Sequence, residues 1–169
     1  MRKPNKRERK VINSALNFFG SSENDLVLFL KDKELYAFSK DLAEFLEKRK
    51  LPCIAGIKVG EVGSRRLRLT LEGTYWLVKN EKKRVFVNEK GEMLFLYGRD
   101  IFAGSVEKCS EFDENEIVFV CNRFGDIIGL GKSRYPSRKL SEIEKDKVFV
   151  ENLVDRGEYI RRKKLYNSY

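Results

Sequence analysis

Glu116-Ile117-Val118-Phe119-Val120-Cys121, then Asn122-Arg123-Phe124-Gly125-Asp126, then Ile127-Ile128-Gly129-Leu130-Gly131-Lys132-Ser133: this stretch decides the fold. Two apolar, β-branched runs flank a polar turn that contains glycine, the pattern of an antiparallel hairpin. The end of the stretch imitates a phosphate loop. In a G-x-x-x-x-G-K loop the first glycine lets backbone N–H groups wrap the anion. Here that position is Asp126, a carboxylate that would repel a phosphate, and the glycines lie within a strand. Gly129 and Gly131 therefore read as places of kink or close backbone approach.

Further strands surround this hairpin. Val148 to Val154 reads as a strand, and Asp155-Arg156-Gly157 turns the chain into a last strand, Glu158 to Arg162. Upstream, Met93 to Tyr97 reads as a strand and Arg99 to Val106 as a short helix. Many short strands joined by glycine turns predict a small barrel or sandwich. The polar turn Asn88-Glu89-Lys90-Gly91 marks a boundary, which gives domains 1–91 and 92–169.

The first of these domains mixes helix and strand. Asn5 with Glu8 forms a capping box. Val11, Ile12, Ala15, Leu16 and Phe19 then recur at helical spacing up to Gly20. Leu26 to Lys31 and Glu34 to Phe38 predict two strands around Asp32-Lys33. Ser39 caps a second helix with Leu42, Phe45 and Leu46 on its inner face, closed by Pro52. Ile57 to Val62 is a short segment with Gly60 inside it and Gly63 after it. Leu67, Leu69 and Leu71 alternate with Arg66, Arg68 and Thr70, as in a half-buried strand. Tyr75, Trp76 and Val78 predict a short helix, and Val85 to Val87 a strand. The fold class is α+β.

Composition narrows the chemistry. The chain of 169 residues carries 35 Lys and Arg against 26 Asp and Glu, a net charge of +9. Such a protein attracts polyanions, nucleic acid first and anionic membranes second. No apolar run is longer than the five residues of Leu26 to Leu30, far too short to span a bilayer, and no signal-peptide pattern opens the chain. Histidine and glutamine are absent. Without histidine, the commonest general base and metal ligand are gone. Cys53, Cys109 and Cys121 are scattered, so no zinc nucleus forms, and reduced thiols in an intracellular, cytoplasmic protein are expected. Abundant Lys, Glu and Arg point to a heat-adapted source. No metal or cofactor is expected.

Candidate RNA-binding residues come from cations interleaved with tyrosines. Lys132, Arg134, Arg138 and Lys139 surround Tyr135. Arg161-Arg162-Lys163-Lys164 is the sole run of four cations, with Tyr159 and Tyr166 beside it. Cations neutralise phosphates and aromatic rings stack on unpaired bases. Two features weigh the other way. Alternation along a strand sends Arg161 and Arg162 to opposite faces. Residues 1–90 hold 21 basic against 12 acidic side chains, whereas residues 91–169 hold 14 of each. A basic face on the second domain thus requires segregated charge.

The chain resembles the Nip-seven family of ribosome-biogenesis factors, a pre-PUA domain followed by a C-terminal PUA domain, of archaeal type. The residues that carry the resemblance are Gly56, Gly60, Leu67-Arg68-Leu69, Tyr75, Leu77 and Val85-Phe86-Val87 in the first part. In the second part they are Phe95-Leu96-Tyr97-Gly98 with Ile101 through Ser105, Glu116 to Asn122, Ile128-Gly129-Leu130-Gly131, and Val154-Asp155-Arg156-Gly157-Glu158-Tyr159-Ile160-Arg161. The resemblance implies an N-terminal α/β domain with an antiparallel sheet and a PUA-type β pseudo-barrel, with Phe95 to Gly98 as opening strand and Ile101 to Ser105 as helix. It also implies a non-catalytic RNA-binding protein of large-subunit biogenesis and pre-rRNA processing, nucleolar if eukaryotic. Single-stranded or precursor rRNA, with assembly or RNA-processing proteins, would be its partners. By that resemblance RNA contacts would map to Arg161 and Arg162, more loosely to Lys163 and Lys164; on the residues themselves, Lys132 and Arg134 would extend the track, with tyrosines such as Tyr135 as stacking platforms. The competing expectations are a protein-interaction adaptor and an RNA-binding subunit of an RNA-modifying enzyme.

Overall fold

The computed structural model describes residues 1–19, 26–49, 56–77 and 82–161. The chain forms two compact units, Met1–Asn80 and Glu81–Tyr169.

The first unit runs α1 (Lys6–Phe18), β1 (Leu26–Lys31), β2 (Glu34–Ser39), α2 (Lys40–Arg49), β3 (Ile57–Val62), β4 (Leu67–Leu69) and α3 (Leu71–Leu77). The four strands form one antiparallel sheet in the order β1-β2-β3-β4. The hairpin β1–β2 pairs from Leu26 opposite Ser39 to Lys31 opposite Glu34, around the expected Asp32-Lys33 turn, in which Asp32 has φ 55°. Ile12 and Leu16 of α1 pack on Leu30, Leu35, Val59 and Val62. Tyr36, Phe38 and Ala43 form a second apolar cluster that receives Leu42 and Leu46 of α2. Phe45, expected beside them, is largely exposed. The stops expected at Gly20 and Pro52, and Val78 of the expected short helix, lie outside the described residues.

The capping box of α1 is present. Asn5 Oδ1 accepts from Glu8 N at 3.0 Å, and Glu8 Oε2 accepts from Asn5 N at 2.8 Å. Arg2 adds a bidentate clasp, with Nη1 and Nη2 at 2.7 and 2.6 Å from the Glu8 carboxylate. Arg2 also exchanges two backbone hydrogen bonds with Leu30, at 2.9 and 2.7 Å, which covers part of the outer edge of β1. The Arg2 guanidinium, then the Asn5 amide, lower the Glu8 pKa to about 2. A depressed carboxylate pKa contributes stability that is complete above the unfolded value, near 4.5, and is lost as pH falls through the folded one. The start of α1 should therefore loosen between about pH 4.5 and about pH 2. An NMR titration of the Glu8 side chain checks this, and Arg2→Ala should move its midpoint back up. The effect on global stability is small because the pair is exposed.

The second unit runs β5 (Arg84–Val87), α4 (Glu89–Leu96), β6 (Ile101–Phe102), β7 (Val106–Cys109), β8 (Ile117–Cys121), β9 (Ile127–Ser133), β10 (Val148–Asp155) and α5 (Glu158–Arg161). Short 3₁₀ turns occupy Ala103–Ser105 and Ser137–Glu142. Six strands form a nearly closed, barrel-like sheet in the order β6-β10-β9-β8-β5-β7. All pairings are antiparallel except β5 with β8. Its core is Val85, Val87, Phe95, Ile101, Val118, Val120, Phe149 and Val150, with Phe112, Ile128 and Ala103 around them.

Several expectations need correction here. The units divide at Asn80/Glu81 rather than at 91/92, because β5 is an inner strand of the second sheet, between β8 and β7. Met93 to Tyr97 is not a strand but the body of α4. Asn88, expected in a polar turn, is its N-cap, accepting from Gly91 N at 2.9 Å. That bond satisfies a donor which the first helical turn leaves open. Arg99 to Val106 is not a helix. It supplies β6, a 3₁₀ turn and the start of β7, so the opening strand and helix implied by the resemblance occur in the reverse order. Of the expected last strand, Glu158 to Arg162, the described residues Glu158–Arg161 form instead the single-turn α5, whose Arg161 N donates to Gly157 O at 2.9 Å.

The hairpin itself agrees with the sequence. Ile117 pairs with Lys132 and Val120 with Gly129, and a β-side chain is excluded at Gly129 by contact. A Cβ there would lie 2.4 Å from Val154 O and 2.6 Å from Phe95 Cε1. The glycine thus serves helix-to-sheet packing, not phosphate binding.

Candidate nucleic-acid interface

The end of β10 is organised by a buried carboxylate. Asp155 is 2% exposed. A carboxylate at that depth must be paired to be tolerated. Arg161 reaches it with both terminal nitrogens, Nη1 to Oδ1 and Nη2 to Oδ2, each at 2.9 Å. Asn152 Nδ2 donates to Oδ2 at 3.1 Å and to Phe95 O at 3.0 Å, while Asn152 N donates to Asp100 Oδ1 at 2.8 Å. Arg161 Nη1 also donates to Leu96 O. These bonds tie the C-terminal end of α4, the end of β10 and α5 into one assembly. Gly157 lets them close, since a Cβ on it would stand 1.8 Å from Leu96 O.

Arg161 is therefore first a brace. Its hydrogen bonds to Asp155 raise its pKa above the ordinary arginine value, and its charge is matched by a neighbour. Its side chain keeps 36% exposure, so part of it still meets solvent. Arg162, Lys163 and Lys164, with Tyr166, lie outside the described residues.

The second expected group lies on and just beyond β9. Lys132 stands opposite Glu151 of β10 and Ile117 of β8. Paired residues project from the same face of a sheet. Arg134 follows two positions on and pairs with Glu151. Lys132 and Arg134 thus share Glu151 as a neighbour, which reduces the local charge. Among the described residues Lys132 has no ion pair or side-chain hydrogen bond. Tyr135 is placed otherwise. It is half-buried against the core and stacks on Phe149, centroids 6.4 Å apart at 16°. One of its ring faces is thus already occupied. Arg138 pairs with Asp113 at 3.0 Å.

A feature the sequence reading passed over stands at the tip of the β8–β9 hairpin. Phe124 is 76% exposed. Arg123 lies over its ring, 4.9 Å from the centroid, and is itself held by Glu89 at 2.6 Å. Asn122 builds the turn, its Oδ1 accepting from Phe124 N and Asp126 N at 3.0 Å each. Arg84 Nη1 donates to Gly125 O at 3.1 Å. The signal was available: a phenylalanine at the centre of a polar turn has no obvious route to the core.

Charge is distributed unevenly between the units. The first carries 17 Lys and Arg against 10 Asp and Glu, and the second 18 against 16. No described helix is long and apolar enough to cross a membrane.

Comparison with known proteins agrees with both units. Residues 1–71 match the model of the NIP7/UPF0113 pre-PUA domain, and residues 83–164 that of the UPF0113 PUA domain. A UPF0113 protein of Archaeoglobus fulgidus is 57% identical, covering 99% of this chain and 98% of its own. Among solved structures, a conserved PUA domain protein from Thermoplasma acidophilum aligns with a TM-score of 0.66 at 16% identity, over 94% of this chain and 95% of its own. A PUA domain protein from Aeropyrum pernix, solved as a tartrate complex, aligns with a TM-score of 0.61 at 14% identity, over 91% and 84%. At these identities the two structures establish the fold alone.

Proposed function

This chain belongs to the NIP7/UPF0113 family, and from that premise we propose that it is a non-catalytic RNA-binding protein that acts in large ribosomal subunit assembly. The observation that carries the proposal is the PUA unit, matched over residues 83–164. Ribosomal precursor RNA, in single-stranded segments, is the ligand in this reading, and other assembly proteins are its partners in the cytoplasm.

The contacts divide by chemistry. Lys132 and the exposed edge of Arg134 meet phosphates, a role that supplies affinity without sequence preference. Phe124, with one face against Arg123, offers the other face to an unpaired base. It replaces Tyr135 in that role, since Tyr135 is committed to Phe149. Arg161 acts mainly by holding α5 in place, and Arg162, Lys163 and Lys164 follow it as further phosphate contacts.

Fluorescence anisotropy with a short single-stranded RNA, titrated at several salt concentrations against the full chain, tests this. Lys132→Gln with Arg134→Gln should flatten the plot of log affinity against log salt by about 1.4, from roughly 0.7 per phosphate contact on a single strand. Phe124→Ala should cost about 1–3 kcal/mol of binding and leave the salt slope alone. A folded wild-type chain with no salt-dependent RNA binding sinks the reading and favours a protein-interaction adaptor. The full chain is required, because a fragment beginning at residue 91 omits the inner strand β5.

A further inference from the structure

We propose that the start of α1 forms a second RNA-phosphate surface, on the N-terminal unit, centred on Lys6, Arg7 and Lys10. The inference rests on the RNA-binding reading above but concerns a different part of the molecule.

The first support is that these cations have no structural use. Lys6, Arg7 and Lys10 are exposed, and among the described residues their side chains make no ion pair or hydrogen bond. Some cations of the same unit are matched: Lys58 bonds Glu34 at 2.5 Å, and Arg68 bonds Glu61 at 3.1 Å. The one carboxylate in this part of α1, Glu8, is already taken by Arg2 and the Asn5 amide. Positive charge at a helix N-terminus opposes the helix dipole. Lys6 and Lys10 also repel each other one turn apart. The arrangement weakens the helix that carries it, and an anion laid across it would relieve both effects.

The second support is that the surface is held in place before any ligand arrives. Arg2 is fixed to Leu30 by two backbone bonds. Pro4 is buried, and its carbonyl accepts from Arg9 Nε at 3.1 Å. Binding to such a surface orders little additional chain, which keeps the entropic cost low.

The third support separates RNA from an acidic protein. Protein interfaces depend on buried aromatic or aliphatic anchors. Between Lys3 and Lys10 no exposed apolar side chain stands. A surface of cations alone is what polyphosphate capture by counterion release needs. It also explains why the N-terminal unit, not the PUA unit, holds most of the excess charge.

The test uses the full chain and a short oligouridylate, comparing wild type with Lys6→Gln, Arg7→Gln, Lys10→Gln combined. Glutamine is a good helix former and the sites are exposed, so the fold should persist; circular dichroism verifies it. Three lost phosphate contacts should flatten the salt slope by about 2, so that wild-type affinity falls about 20-fold further than the variant's between about 50 and about 200 mM salt. A folded variant with unchanged affinity and slope overturns the inference. So does a variant that keeps RNA binding but loses binding to polyglutamate, which would assign the surface to an acidic protein. The two readings fail separately. No RNA binding by the wild type removes both, whereas a slope sensitive to Lys132→Gln with Arg134→Gln but not to the α1 variant removes this one alone.

Discussion

Phe95→Ala should lower the stability of the second unit by about 3–5 kcal/mol, the range for truncating a fully buried phenylalanine. Phe95 is 0% exposed and is the residue by which α4 enters the barrel core. Its ring presses on the backbone of β9 so closely that no side chain fits at Gly129. Its own carbonyl accepts from Asn152. Truncation therefore opens a cavity between helix and sheet and slackens the anchor of the Asp155 assembly. Urea denaturation followed by the amide exchange of β9 and β10 measures the loss separately from the first unit. That separation matters because a chain of two units need not unfold in one step. A loss below about 1 kcal/mol would mean that α4 does not close the barrel as described.

Asp155→Ala should cost about 2–3 kcal/mol. Breaking a buried pair by deleting one partner usually costs about 3–5 kcal/mol, reduced here because the released guanidinium is partly in water already. Arg161→Ala leaves the opposite defect, a buried carboxylate with Asn152 as its remaining side-chain donor, and should also lower stability. The double variant should cost clearly less than the sum of the two, since the partners share one interaction. The cycle also bears on function. If Arg161 is chiefly a brace, Arg161→Ala lowers stability while the RNA salt slope stays near that of the wild type. If it is chiefly a phosphate ligand, the slope falls by about 0.7 and stability changes little.

The elements whose signals are local were legible in the chain alone. The α1 capping box is written in Asn5 and Glu8, and its apolar spacing places Ile12 and Leu16 inside. The β1–β2 turn is written in Asp32-Lys33, and the β8–β9 hairpin in two β-branched runs around Asn122 to Asp126. The order of short motifs sufficed for the family. Errors gathered where local pattern was ambiguous. Met93 to Tyr97 is an apolar run of a length that suits either strand or buried helix, and the Asn88 cap resolves it only once the backbone is seen. Glu158 to Arg161 has strand-like composition, yet Gly157 and the Arg161 clasp wind it into a turn of helix.

For the candidate interface, the sequence determined which charges exist and which are neighbours along the chain: the surplus of cations near Arg2 to Lys10, the pair Lys132 and Arg134, and the tyrosine at 135. Which of those charges stay unmatched depends on contacts that the fold brings about. Glu151 comes from another strand to face Lys132 and to pair Arg134. Asp155 holds Arg161, while Phe149 takes one face of the Tyr135 ring. The difference is one of range. Capping, turns and periodicity act within a few residues, so composition and spacing reveal them. Neutralisation of a charge or covering of a ring is done by whatever side chain the fold brings within a few ångströms, and that partner can stand anywhere in the sequence.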